Sequence, residues 1–282
     1  ACMLIGCIVN IILDPILIFG FRMGISGAAL ATVFSQLISF FLLLAGVHFS
    51  GCIPIRLKNV RFHRERLREI AGGGLPSLFR QGLGSVATMT LNIAANPYGD
   101  AAIAAMSVVS RIFMFAISAL IGFGQGFQPV CGFNYGAKKY GRVREAFWFC
   151  VKVSTIFLFA LSILGFLLSG HLIGIFRDDP EVIRIGTAAV RFQCATLILN
   201  GWIVMNNMMT QTMGKTFYAS LLASARQGLF FIPILLILPR ILGLIGIQSA
   251  QAAADLFAFL LSVVLYRKVT AELNAEEEKQ TE

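Results

Sequence analysis

Most of this chain consists of apolar runs long enough to cross a bilayer, whose hydrocarbon core of about 30 Å takes about 20 residues of helix. Eight such runs are read, at roughly 1–21, 28–47, 74–97, 101–133, 146–170, 182–213, 218–239 and 246–266. They are apolar all round rather than striped at a period near 3.6, so they are not the half-polar helices of a soluble core. Composition agrees: 57% of the 282 residues are hydrophobic and 13% are charged, against about 45–50% and about 25% in soluble domains. The predicted fold class is therefore all-α, a polytopic membrane helix bundle.

The breaks between runs set a topology. The loops at 48–73, 134–145 and 214–217, with the tail from 267, hold fourteen of the 23 Lys and Arg residues. The alternate loops, at 22–27, 98–100, 171–181 and 240–245, hold three. Cytoplasmic loops carry the excess of Lys and Arg, which predicts that the 48–73 loop and the C-terminus face the cytoplasm. The net charge of +9 is thereby explained by topology, and no nucleic-acid partner is needed. Within the long loop, RFHRERLREI from Arg61 to Ile70 reads as a basic amphipathic helix on the inner membrane surface. The acidic tail with Glu276, Glu277, Glu278 and Glu282 reads as disordered and solvated.

Two segments repeat. DPILIFGFRMGISGAALATVFSQLISFFLLL from Asp14 resembles IPILLILPRILGLIGIQSAQAAADLFAFLLSVVL from Ile232. Pro15 aligns with Pro233 and Arg22 with Arg240; after one inserted residue, Gly27 aligns with Gly246 and Gln36 with Asp255. The two helix pairs lie six helices apart and run in the same direction, as in transporters built from two parallel halves. If the halves are equal, four helices, about 150 residues, precede Ala1. A start inside an apolar run with no Met before it fits that expectation of a C-terminal fragment.

Several segments resemble the multidrug and toxic compound extrusion (MATE) family. Asn10 to Pro15 followed by GISGAALATVFSQ at 24–36 resembles that family's fifth and sixth helices, and FGQGFQPVCGFNYGAKKYGRVREAF at 123–147 resembles its glycine-rich eighth helix and basic loop. IFRDDPEVIRIG (175–186), QTMGKT (211–216) and the stretch from Ser224 to Asp255 fit the helices that follow. The resemblance implies a twelve-helix, two-lobe transporter of which about eight helices are present. Residues 1–47 would be the last two helices of the N-terminal lobe and 48–73 the cytoplasmic basic linker. Residues 74–266 would be the C-terminal six-helix lobe and 267–282 the cytoplasmic tail. It also implies a multi-pass protein of the bacterial cytoplasmic membrane that acts as a monomer. The implied function is a secondary active antiporter exporting small cationic or amphipathic compounds in exchange for H⁺ or Na⁺, with no cofactor.

Only two carboxylates fall inside the runs, Asp14 and Asp255. A charge at the bilayer centre costs about 2.5–3.5 kcal/mol on insertion scales, so such residues are functional candidates. Asp14 precedes Pro15, which removes a backbone donor and frees a carbonyl one turn earlier. Asn10 lies one turn before it on the same face. The resemblance implies that Asn10, Asp14 and Thr32 help form the coupling-ion site, with Asp14 either exchanging a proton or binding Na⁺ directly. The plain alternative is an Asp capping a helix near the outer surface. Asp255 is read either as an ion-pair partner of Arg226 or as an acid that contacts substrate. Gln81, Asn92, Asn200 and Met205 join Asp255 and Arg226 as candidate substrate-cavity residues, since polar groups and the adaptable Met side chain suit a promiscuous cavity. Packing and interhelical hydrogen bonds are the plain alternative.

Other classes fare worse. The sequence has no Walker A motif, HExxH or Ser-His-Asp arrangement, so neither an ATPase nor an intramembrane enzyme is predicted. Cys2, Cys7, Cys52, Cys131, Cys150 and Cys194 contain no CxxC pair and read as small buried hydrophobes, with no metal site. The serious rival is a lipid-linked oligosaccharide flippase of the same superfamily, which would use cavity cations such as Arg111, Arg191 and Arg226 to hold a pyrophosphate.

Overall fold

The computed structural model of the chain describes residues 2–50 and 63–281. The chain divides into two compact units, Ala1–His63 and Arg64–Glu282. The middle of the expected linker, residues 51–62, lies outside the described residues.

The first unit is a helical hairpin. Helix α1 (Cys2–Pro15) continues as a π-helical turn, Ile16–Gly20, and α2 (Gly24–Ser50) returns against it. Pro15 has no N–H to offer the turn before it, and the backbone beyond it adopts the wider register. The reversal uses Arg22 at a φ of 54°.

The second unit holds the remaining helices. Helix α3 (Arg64–Ala95) starts inside the expected linker, so the described part of the basic segment, from Arg64 onward, is the first part of a long helix. A 3₁₀ turn at Asn96–Tyr98 leads to α4 (Asp100–Gly136) and α5 (Tyr140–Leu167). Short α6 (Ser169–Phe176) precedes α7 (Pro180–Leu197) and α8 (Leu199–Thr212). Helix α9 (Thr216–Ser224) runs through a π segment, Ala225–Phe230, into α10 (Phe231–Leu242). Helix α11 (Leu244–Thr281) ends the chain.

Local chemistry marks the breaks. Asp179 accepts from the N–H groups of Glu181 (2.9 Å) and Val182 (3.5 Å), and Pro180 occupies the first helical position, where its missing N–H is harmless. The π segment before α10 lies just upstream of Pro233, whose absent N–H leaves the carbonyl of Leu229 without its usual α-helical partner.

Among the described residues, six helical segments are long and apolar enough to cross a membrane, or seven with α7 and α8 taken as one bent span. The remaining expected run belongs to α3. That helix is 32 residues long but carries Arg80, Gln81, Ser85, Thr88, Thr90 and Asn92 where a lipid-facing helix would be apolar. Two further expectations are corrected. The run at 182–213 is not one straight helix, because α7 and α8 meet at a 54° bend. The tail is not disordered: α11 stays helical to Thr281, and Arg144 pairs with Glu277 at 2.6 Å while Lys215 pairs with Glu272. Cys131, Cys150 and Cys194 are buried as expected, whereas Cys7 is exposed.

The core of the second unit has two layers. The first half of α4 packs Ala102 and Val109 against Ile185, Val190, Leu235 and Ile247. Its second half meets Phe147, Leu158, Met205, Met208 and Met209 around Phe127. Tyr266 joins this second layer, with its ring 4.9 Å from those of Phe147 and Trp202.

Both repeated hairpins close on a glycine. A Cβ at Gly246 would lie 2.5 Å from the carbonyl carbon and oxygen of Leu238, and one at Gly27 would lie 2.9 Å from those of Leu17. The aligned glycines thus do the same job, letting the returning helix touch the backbone of the helix before it. Gly246→Ala is expected to cost about 1–3 kcal/mol through overpacking. Gly82→Ala, where a Cβ meets nothing within 4 Å, is the neutral control. Thermal unfolding of the purified protein checks this, and equal midpoints for the two variants would show that the contact is slack.

Candidate functional site

Each unit presents candidate residues of its own. In the first unit, glycine packing sets the register of the hairpin: Gly6 sits against Ser35 and Ser39, and Gly27 against Leu17. That register puts Thr32 level with the turn of α1 between Asn10 and Asp14. Asn10 and Asp14 share one side of α1 at a spacing of four residues. The Asn10 Nδ2 is buried and has no hydrogen-bond partner among the described residues. Thr32 is exposed and donates to the carbonyl of Ala28 at 2.9 Å, so its oxygen can still accept. Asp14 is half-buried and makes no ion pair or hydrogen bond among the described residues. The hairpin therefore brings an unsatisfied amide, a free carboxylate and a hydroxyl to one level, and no bond joins the three.

In the second unit, Asp255 is the hub of a buried polar cluster. Its residue is 3% exposed. Its Oδ1 accepts from Arg226 Nε at 2.9 Å and from Gln251 Nε2 at 3.0 Å, and its Oδ2 accepts from Asn200 Nδ2 at 2.9 Å. Arg226 stands on the π segment between α9 and α10, Gln251 and Asp255 on α11, and Asn200 at the start of α8 just past the bend. A buried ion pair holds only when geometry and extra hydrogen bonds offset the desolvation of both charges, and the two amides supply those bonds. Asp255 is thus an ion-pair partner of Arg226, the first of the two readings.

The other cavity candidates split. Met205 is fully buried, and its Cε lies 3.4 Å from where a Cβ would stand on Gly124; it belongs to the core rather than to a surface a substrate can reach. Asn200 is likewise fully buried, and only its Oδ1 lacks a partner. Gln81 and Asn92 are exposed on α3 and share a face with exposed Ser85 and Thr88, at spacings of four, three and four residues. Such a polar stripe on a bilayer-length helix suits water or protein, not hydrocarbon.

Sequence reasoning missed Gln251, although its place four residues before Asp255 was a readable signal. Arg80 was another polar residue within the third run that the sequence left without a role. It is half-buried and donates to Asn207 Oδ1 (3.4 Å) and to Ser77 Oγ (3.5 Å). Among the described residues, no group of three His, Cys, Asp or Glu side chains gathers to hold a metal.

The chain is similar to known proteins in sequence and in fold. Residues 76–237 match the MatE family. The chain is 30% identical over 260 residues to the multidrug export protein MepA of Staphylococcus aureus, covering 91% of this chain and 57% of that protein. The chain thus spans little more than half of that relative's length. Its fold is similar to that of a mutant of the Vibrio cholerae MATE transporter VcmN, with a TM-score of 0.87 at 21% identity over 96% of this chain and 62% of the other. A MOP superfamily transporter from Pyrococcus furiosus gives a TM-score of 0.88 at 24% identity, over 97% and 62%.

The cluster around Asp255 generates a test of its role. Arg226→Met leaves a buried carboxylate without its cation and is expected to cost about 3–5 kcal/mol. The double variant Arg226→Met with Asp255→Leu removes both charges and should recover most of that loss. Unfolding midpoints in detergent measure both, and a double variant no better than the single would show that the pair does not act as a unit.

Proposed function

Since the chain belongs to the MatE family, the multidrug and toxic compound extrusion transporters, we propose that it forms part of a secondary active exporter of small amphipathic and cationic compounds, driven by entry of H⁺ or Na⁺. It is a multi-pass membrane protein of a transporter family, not an enzyme. The observation that carries the coupling reading is Asp14: a carboxylate inside an apolar helix, beside a proline-broken turn, with no protein partner among the described residues. Membrane carboxylates mark proton relays and ion pathways, and broken helices supply free backbone groups for a cation. Asn10, with its unsatisfied amide, and Thr32, with its accepting oxygen, stand at the same level.

Asp255 differs in kind. Its charge is already balanced by Arg226, so in this reading it holds the second unit together while Asp14 carries the ion. The exposed stripe of Gln81, Ser85, Thr88 and Asn92 is the part of α3 suited to face a wet passage. The topology that goes with this reading keeps the basic loops and the C-terminus in the cytoplasm.

The test is Asp14→Asn in the full-length gene product. Dye export under an imposed pH or Na⁺ gradient should fall to background while expression and membrane insertion stay normal. Retained, gradient-dependent export in that variant would remove Asp14 from the mechanism. Running the two gradients separately identifies the coupling ion.

A further inference from the structure

Helix α4 carries a cation that the polar core does not use. The buried residues of α4 are Ala102, Ala105, Met106, Val109, Leu120, Gly124, Phe127 and Cys131. At 3.6 residues per turn, or about 100° per residue, these fall within one narrow sector of the helix. Arg111 lies on the opposite side, in line with Ser118, Gly122, Gln125 and Pro129, all of them exposed. It stands eleven residues into the helix, roughly 16 Å from its first residue, which is well inside a hydrocarbon core of about 30 Å.

Arg111 is exposed in its unit and makes no ion pair or hydrogen bond among the described residues. The other arginines inside the spans differ. Arg226 holds Asp255, Arg80 reaches Asn207, and Arg191 bonds Ser169 and lies over the ring of Phe166. At this depth lipid is a poor environment for a guanidinium, at about 2.5–3.5 kcal/mol. Ser118, Gly122 and Gln125 continue this exposed side of α4 with small and polar groups. Met114 (64% exposed) and Phe115 (73% exposed) flank Arg111 one turn along, a flexible thioether and a flat ring beside a fixed cation.

We propose that Arg111 is a specificity-determining residue that receives an anionic oxyacid group, carboxylate or phosphate, on an amphipathic substrate whose apolar body lies on Met114 and Phe115. This inference rests on the transporter reading above and extends its substrate class from cations to zwitterions and amphipathic acids. A guanidinium fits a carboxylate or phosphate through two parallel hydrogen bonds, which an ammonium does not reproduce.

The test compares two ligands that differ only in this group: a xanthene dye with a free carboxylate and its methyl ester. Binding is read by fluorescence anisotropy on the purified full-length gene product, and transport by dye export from loaded proteoliposomes. Wild type is expected to bind the acid more tightly than the ester. Arg111→Gln is expected to weaken acid binding about tenfold or more, the factor of a charge-assisted hydrogen bond, and to leave the ester unchanged. Arg111→Lys should recover only part of the preference. A soluble prenyl phosphate as competitor distinguishes the two sources of the anionic group. If it displaces the acid only from protein that has Arg111, lipid-linked phosphates join the ligands; if it does not, the site takes soluble acids alone.

Equal loss of acid and ester in Arg111→Gln, or no change in either at normal folding, would overturn the proposal. The transporter reading fails separately, by dye export that is absent even in wild type while the acid preference in binding remains.

Discussion

A membrane interior without water leaves polar side chains only one another, and helix α11 organises its unit on that basis. Gln248, Gln251, Asp255 and Ser262 run down α11 at spacings of three, four and seven residues, a single seam. Gln248 donates to the carbonyl of Ile185 on α7 at 3.0 Å. Asp255 gathers Arg226 and Asn200, and Asn206 on α8 donates to both the carbonyl and the hydroxyl of Ser262 at 2.8 Å. Between helices that are equally greasy on all sides, apolar packing alone discriminates poorly among rotations. The seam does discriminate, because turning α11 by one residue would leave a buried carboxylate without its arginine.

The seam also gives meaning to two irregularities. The bend between α7 and α8 puts Asn200 at the start of a new helix, where it meets Asp255. The π segment between α9 and α10 changes the register of Arg226, so that its guanidinium reaches the same carboxylate. A straight α-helix at either place would present a different side chain to α11. π segments gather at functional positions, and here the function is first of all structural: a charge is brought to its counter-charge within hydrocarbon.

The sequence made the elements legible and left their faces obscure. Runs of apolar residues, DDP at a helix start and glycines at the hairpin closures were enough to place most helices and the internal repeat. The bend at Ile198 was hidden, since LILNGW contains no proline and reads as continuous helix. The tail misled because acidic composition looks like solvated chain, yet Ala271 to Glu278 is also a good helix former once α11 has nucleated it. The pairing of Arg226 with Asp255 was readable from charge alone, the two being mutually available in the last two runs. Met205 was not: in a helix that is apolar all round, a core methionine and a cavity methionine are spelled alike. The outward direction of Arg111 was equally hidden, because it depends on which sector of α4 the core selects.

The repeat sharpens the contrast between the two intramembrane acids. Both hairpins fold back over a glycine pressed on the backbone of the preceding helix, and both carry a proline and a π turn ahead of the reversal. Within that common frame the polar residues have moved. The position aligned with Asp255 is Gln36, which carries no charge, and the acid of the first hairpin stands on its other helix as Asp14. The acid of the second hairpin is surrounded by three donors, one of them a guanidinium that supplies its counter-charge. The acid of the first hairpin makes no ion pair or hydrogen bond among the described residues. The same hairpin therefore carries an ion-paired acid in one repeat and, among the described residues, an acid without a counter-charge in the other. The difference lies in where the counter-charge was placed, not in the backbone that presents it.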